Sequence, residues 1–154
     1  YEVFEYLRSK FSSIMTTFTN QELTFKTCLQ IFEKAKMKAE EIGFNIAVTI
    51  VDTGGNTKLF ARMDGAPLMA SDISRKKAVT AIGFCMPTGE SWNNFIKDDP
   101  ILNNGVSGIT DFMLLGGGKP LIVNNAIVGA IGVSGGHYKQ DEECCDAGMS
   151  ILHL

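Results

Sequence analysis

Residues 46–62 read Ile46-Ala47-Val48-Thr49-Ile50-Val51-Asp52-Thr53-Gly54-Gly55-Asn56-Thr57-Lys58-Leu59-Phe60-Ala61-Arg62, and this stretch decides the fold class. Ile46–Val51 is rich in β-branched residues and almost wholly apolar, as a central strand is. Asp52-Thr53-Gly54-Gly55-Asn56 supplies turn chemistry, and Thr57–Met63 reads as the returning strand. The two form a hairpin, so the sheet contains antiparallel neighbours.

Upstream, Thr19-x-x-Glu22 reads as a capping box, with Phe18 and Leu23 as its hydrophobic staple. Phe25, Leu29, Phe32, Ala35, Ala39 and Ile42 follow at helical spacing, Lys34, Lys36, Lys38 and Glu40 lie opposite them, and Gly43 closes the helix. Downstream, Asp64-Gly65-Ala66-Pro67 breaks the hairpin strand. Pro67 suits the first turn of a second helix with the inner stripe Ile73, Lys77, Ala78, Ala81 and Ile82, ending near Gly83. Residues 84–111 read as short helical turns in a long connection. Three short strands follow, at Phe112–Leu115, Pro120–Val123 and Ala126–Ser134, and Lys139–Leu154 completes the chain as a helix. This order predicts an α+β domain in which helices pack on an antiparallel sheet.

A length of 154 residues bounds the chain at one domain or two very small ones, and 45% hydrophobic with 20% charged residues excludes disorder. A formal net charge of -3 argues against nucleic acid as a partner. No apolar run approaches the ~20 residues of a membrane helix. Cys28, Cys85, Cys144 and Cys145 share no CxxC spacing and read as reduced thiols, which predicts a cytoplasmic location and no structural metal. No cleavable signal peptide is legible in Tyr1–Asn20.

Gly132-Val133-Ser134-Gly135-Gly136 matches the G-x-S-x-G nucleophile elbow, but the chain after Ser134 is too short to place an acid and a histidine on later strand ends. The backbone offers another reading. Gly116-Gly117-Gly118, followed by Lys119, and Ser134-Gly135-Gly136 before the last helix can turn successive N–H groups toward a carboxylate or phosphate. Alternatively both are tight turns that permit close packing. Asp52, Asp64, Asp141 and Glu142 stand at element ends, where binding groups sit. Asp52 is equally a turn residue before Gly54 and Gly55, and acids in a first helical turn are stabilising in themselves. Arg62 could hold a ligand carboxylate through two parallel hydrogen bonds, or pair with Asp52 or Asp64. Arg75-Lys76-Lys77 reads as a solvated helix face. His137, in a loop, is either incidental or free to act as acid, base or ligand.

Four blocks, taken together, resemble a known family: Ala47–Asn56, Ala61–Pro67, Gly116–Leu121, and Gly129–Gly136 with Gln140-Asp141-Glu142. Their order and spacing are similar to the GlcG/HbpS-like family of haem-binding proteins, which also forms the C-terminal domain of PduO-type corrinoid adenosyltransferases. The resemblance covers 19–154 as a single domain and leaves 1–18 as an extension outside it. It implies a profilin-like α/β/α layered fold with a five-stranded antiparallel sheet, and homo-oligomers from dimers to octamers. It also implies a role in handling haem or another tetrapyrrole, in the setting of glycolate, diol or glycerol catabolism. Adenosyl transfer belongs to the other PduO domain. For haem the resemblance implies a histidine ligand near the first helix in some relatives, and this chain has no histidine before His137. Axial ligation would fall to His137, Tyr138, a methionine, a cysteine or a hydroxyl.

Two functions follow. One is a non-enzymatic accessory protein that binds haem, a corrinoid or a similar carboxylated molecule, with the ligand's acids on the glycine loops and Arg62. The other is a small enzyme acting on a carboxylated metabolite, with Asp52, Asp64 or Asp141 as acid or base. A purely oligomeric scaffold, with neither function, is the alternative to both.

Overall fold

The computed structural model describes residues 16–153. Helix α1 (Phe25–Ile42) leads into the hairpin β1 (Ala47–Val51) and β2 (Thr57–Arg62), followed by α2 (Ala70–Phe84). Two short helices, α3 (Glu90–Ile96) and α4 (Pro100–Val106), precede β3 (Gly118–Val123), β4 (Ala126–Ser134) and α5 (Tyr138–Met149), with a 3₁₀ turn over Ser150–His153. The strands form one antiparallel sheet in the order β2-β1-β4-β3.

Among the described residues the sheet has four strands rather than the five expected. Phe112–Leu115 spends its backbone elsewhere: Met113 N–H donates to Thr80 Oγ1 (2.9 Å), and the Leu114 carbonyl accepts from Gly89 N–H (2.7 Å). Its apolar side chains, Phe112 and Leu114, pack on the Trp92 cluster instead. β3 is therefore an edge strand, which is why Pro120 is tolerated within it. The first helix also starts later than expected. Thr24, not Thr19, is the N-cap, and the Glu22 carboxylate accepts from Thr53 N–H across the domain rather than closing a capping box. Phe18 stays exposed, so the staple is absent. At the other end Gly43 (φ 83°) closes α1 as expected, its own and Phe44's N–H reaching back to Glu40 and Ala39. Pro67 precedes the first turn of α2, and Gly83 lies inside that helix. The last helix ends at Met149. Almost all of the extension 1–18, and Leu154, lie outside the described residues.

The two faces of the sheet differ in size of side chain. One face carries Val48, Ile50, Leu121, Ile131 and Val133 against Cys28, Ile31, Ala35 and Ala39 of α1 and Cys144 and Cys145 of α5. Burial pushes the Cys144 thiol up to about 11 and raises Cys28 and Cys145 as well, so these thiols are inert packing groups. The other face is built from Val51 and Ala130 against Ala78 and Ala81 of α2, with Thr49 hydrogen-bonded to Ser74 at 2.8 Å. On this face Gly118 and Gly132 are cross-strand partners. A Cβ on Gly132 would lie 1.9 Å from the Ser74 carbonyl oxygen, and one on Gly118 2.4 Å from that of Lys77. The glycine pair is thus the notch in which the α2 backbone rests.

Gly132→Ala is expected to destabilise the fold by roughly 1–3 kcal/mol or more through this overlap. Gly83→Ala, at a helix position with nothing within 4 Å, should instead stabilise by about 0.5–1 kcal/mol. Guanidinium unfolding of the two variants measures both, and an unchanged midpoint for Gly132→Ala would contradict the notch.

Candidate functional site

Both glycine loops lie at the end of the sheet where β4 leaves and β3 enters, and they come together there. Gly117 accepts from Val133 N–H at 2.9 Å, and Gly118 pairs with Gly132. The carboxylate they surround belongs to the chain itself. Asp141 Oδ1 accepts from Gly136 N–H (3.0 Å), and Asp141 Oδ2 accepts from Lys77 Nζ (2.7 Å), which also donates to the Val133 carbonyl (2.8 Å). The Lys77 and Asp141 side chains are 1% and 3% exposed. Lys77 is thus no part of a solvated face, although its neighbours Arg75 and Lys76 are, paired with Asp72 and Asp111. Burial pushes the Lys77 ammonium below its ordinary value, and the Asp141 charge opposes that shift.

The glycines make room for this pair. Gly117 (φ 112°) occupies backbone space closed to side chains, and its Cβ would stand 2.9 Å from the Asp141 Cβ and 3.1 Å from Lys77 Nζ. Gly135 lies against the Asn45 carbonyl, and Gly136 against Phe44. Ser134 is buried at the end of β4, where it pairs with Ala47.

Beside this buried pair is a half-open cavity of about 440 Å³. Gly89, Glu90, Asn93 and Asn94 from the start of α3 form one wall, Leu114, Leu115 and Gly116 the second, and Tyr138, Lys139 and Glu142 from the first turns of α5 the third. The wall of α3 is held from behind by Trp92, whose ring meets Phe84, Phe112 and Phe95 edge-on at 4.9, 5.0 and 5.8 Å. The Trp92 indole N–H is buried without a partner among the described residues. Gly116 is glycine because the Glu142 carboxylate occupies its Cβ position, 1.9 Å away, and Gly89 (φ 93°) flanks the same oxygen.

His137 is the N-cap of α5: its Nδ1 accepts from Lys139 N–H (3.2 Å), while Gln140 Oε1 accepts from His137 N–H (2.9 Å). These bonds and those of Asp141 account for the helix start. The Tyr138 hydroxyl and the Glu142 carboxylate remain uncommitted among the described residues.

Of the residues singled out from sequence, Gly116 lines the cavity, while Gly117, Gly118, Ser134, Gly135, Gly136, His137 and Asp141 form the framework beside it. Asp52, Gly54 and Gly55 lie at the opposite end of the sheet. There Asp52 Oδ1 accepts from Gly54 N–H (3.0 Å) and Asn56 N–H (2.9 Å), holding the hairpin turn. Arg62 and Asp64 are exposed at the β2 edge, across the sheet from the cavity, and Arg62 pairs with neither Asp52 nor Asp64. Asn93 and Leu114 are not singled out by the sequence, whereas Tyr138 is named there among the axial-ligand candidates and Glu142 among the acids at element ends. Tyr138 and Glu142 are four apart in a helix and so share one face.

The chain is thus an α/β/α layered domain with a side cavity at a helix start. Residues 23–150 match the model of the family described as haem degrading protein HbpS-like, and the chain belongs to that family. It is 34% identical over 130 residues to an uncharacterised 15.0 kDa protein of the dhaT-dhaS intergenic region of Citrobacter freundii, covering 84% of this chain and 92% of that one. It is 27% identical over 148 residues to the corrinoid adenosyltransferase PduO of the same organism, matching 93% of this chain but only 44% of that longer protein. Among solved structures, the PduOC:haem complex superposes with a TM-score of 0.80 at 26% identity, covering 85% of this chain and 95% of that one. Among the described residues no helix is long and apolar enough to cross a membrane.

Lys77→Met, which leaves the Asp141 charge buried alone, should cost about 3–5 kcal/mol, and adding Asp141→Leu should recover much of that loss. Urea unfolding of the single and double variants tests the pair. A single variant as stable as the parent would show that the bridge does not hold the layers.

Proposed function

We propose that the protein is a non-enzymatic accessory protein that binds a tetrapyrrole, haem or a corrinoid, in the cavity between α3, residues 114–116 and the start of α5. The cavity itself carries this reading. Leu114 and Leu115 give it an apolar wall, Lys139 supplies a positive charge for ligand carboxylates, and Tyr138 offers an oxygen donor. Its volume lies within the range of small-molecule sites. Two carboxylates, Glu90 and Glu142, line it as well, and Tyr138 is the one residue in it of a type that ligates haem iron. A haem complex of a relative with the same fold supports the choice of ligand. The setting in glycolate, diol or glycerol catabolism and the cytoplasmic location belong to the same proposal. An acid–base enzyme has less support, because Asp141 is held by Lys77 and Asp52 by its own turn.

Titration with ferric haemin should give a saturable Soret shift at one haem per chain. Asn93→Trp, which fills the cavity from an exposed helix position, should abolish saturation without lowering the melting temperature. Saturation that survives Asn93→Trp would move the site elsewhere, and none in the parent protein would remove haem.

Self-association is part of the proposal. Phe25 and Leu29, expected within the buried stripe of α1, are 57% and 42% exposed, and among the described residues β2 leaves a sheet edge unpaired. A second copy covering such surface is the common solution. Light scattering at micromolar concentration should return at least a dimer, and a mass of one chain would refute it.

A further inference from the structure

We propose that the cavity binds a short-chain polyol through hydroxyls on neighbouring carbons, with the Glu142 carboxylate as their principal acceptor. The inference does not rest on the tetrapyrrole reading. It turns on the side chains that reading leaves idle, Glu90, Asn93, Asn94 and Glu142.

The lining is mixed in what it offers. The Glu90 and Glu142 carboxylates only accept hydrogen bonds and the Lys139 ammonium only donates, whereas the Asn93 and Asn94 amides and the Tyr138 hydroxyl do both. Among the described residues none of these groups is hydrogen-bonded or ion-paired to another. A ligand carboxylate would find Lys139 but meet two like charges. An ammonium would find the two acids but be repelled by Lys139. Hydroxyls on adjacent carbons donate and accept at short intervals, so they match every group present. A carboxylate takes two of them, one on each oxygen, in charge-assisted bonds. Leu114 and Leu115 then meet the C–H side of the chain. A volume of about 440 Å³, toward the lower end of small-molecule sites, suits a ligand of a few carbons.

The backbone sets where Glu142 stands. Its carboxylate fills space that side chains on two glycines would take, 1.9 Å from a Cβ on Gly116 and 2.8 Å from one on Gly89. Gly116 lies outside the left-handed region, so its bare Cα serves the carboxylate and not a turn. An alanine at 116 suits the backbone and displaces Glu142. On the facing wall Glu90, Asn93 and Asn94, three and four apart in α3, turn one side to the same space.

The test is a saturation-transfer NMR titration of the full chain with erythritol and three other four-carbon probes, 1-butanol, butylammonium and butyrate. Erythritol should saturate and bind roughly ten-fold more tightly than each of the others. Glu142→Ala and, separately, Gly116→Ala should each weaken erythritol by roughly ten-fold, the loss of one charge-assisted bond. Asn93→Ala, at an exposed position of α3, should act in the same direction while its circular dichroism stays that of the parent. Tighter binding of butylammonium or butyrate than of erythritol overturns the ligand class. Unchanged erythritol affinity in Glu142→Ala and Asn93→Ala overturns the site. A parent chain that gives a haemin Soret shift but no erythritol saturation overturns this inference alone. Erythritol saturation without a Soret shift upholds it and removes the tetrapyrrole.

Discussion

Lys77 and Asp141 meet at one end of the sheet, the first reaching from the helix on one face and the second from the helix on the other. Removing both charges from water costs several kcal/mol per ion, and their attraction repays it only where the remaining bonding capacity is used. It is used here. The Val133 carbonyl takes a second ammonium proton, and Gly136 N–H occupies the other carboxylate oxygen. The volume for the pair comes from glycines, above all Gly117 in a left-handed conformation. Of the two glycine loops, one gives a backbone N–H, that of Gly136, to a carboxylate, and that carboxylate is the chain's own Asp141, while Gly118 N–H goes to Thr88.

Position follows from this arrangement. The small-residue face lets the α2 backbone lie directly on β3 and β4, which fixes Thr80 and places Thr88 where its hydroxyl and N–H clamp both polar groups of Gly118. Thr80 holds residues 111–113 from the other side. These clamps flank the chain at 114–116 that forms the cavity wall. On the opposite wall, the buried Asp141 sets the angle at which α5 begins, and so where Tyr138 and Glu142 face.

The hairpin at 46–62, the helix closed by Gly43 and the last two strands are legible in the sequence because each rests on local chemistry: alternation, turn residues, a glycine at a left-handed cap. Phe112–Leu115 is not. An apolar tetrapeptide satisfies strand and satellite-core environments equally, and only the tertiary partners Thr80, Gly89 and Trp92 decide between them. Glu22 is misread for a related reason, since its competing partner Thr53 is thirty-one residues away. At the site, the glycine loops and Asp141 stand out as chemistry. Lys77 carries two readings in the sequence, the inner stripe of α2 by its spacing from Ile73 and Ala81 and a solvated face by its neighbours Arg75 and Lys76, and its burial upholds the first. The cavity residues of α3 lie in a segment of low pattern, where helical turns are readable and their facing is not.

Trp92 is the single tryptophan of the chain. Its ring is buried among Phe84, Phe95 and Phe112, in a cluster that shares Leu114 with the cavity wall. All tryptophan emission from this molecule therefore originates one side chain away from the proposed site. Occupation by any strongly absorbing ring system would drain that emission by resonance energy transfer, while a colourless ligand would register only as a change of colour or lifetime. The aromatic cluster that braces the wall is thus also an optical gauge of what the cavity contains, built in without a label.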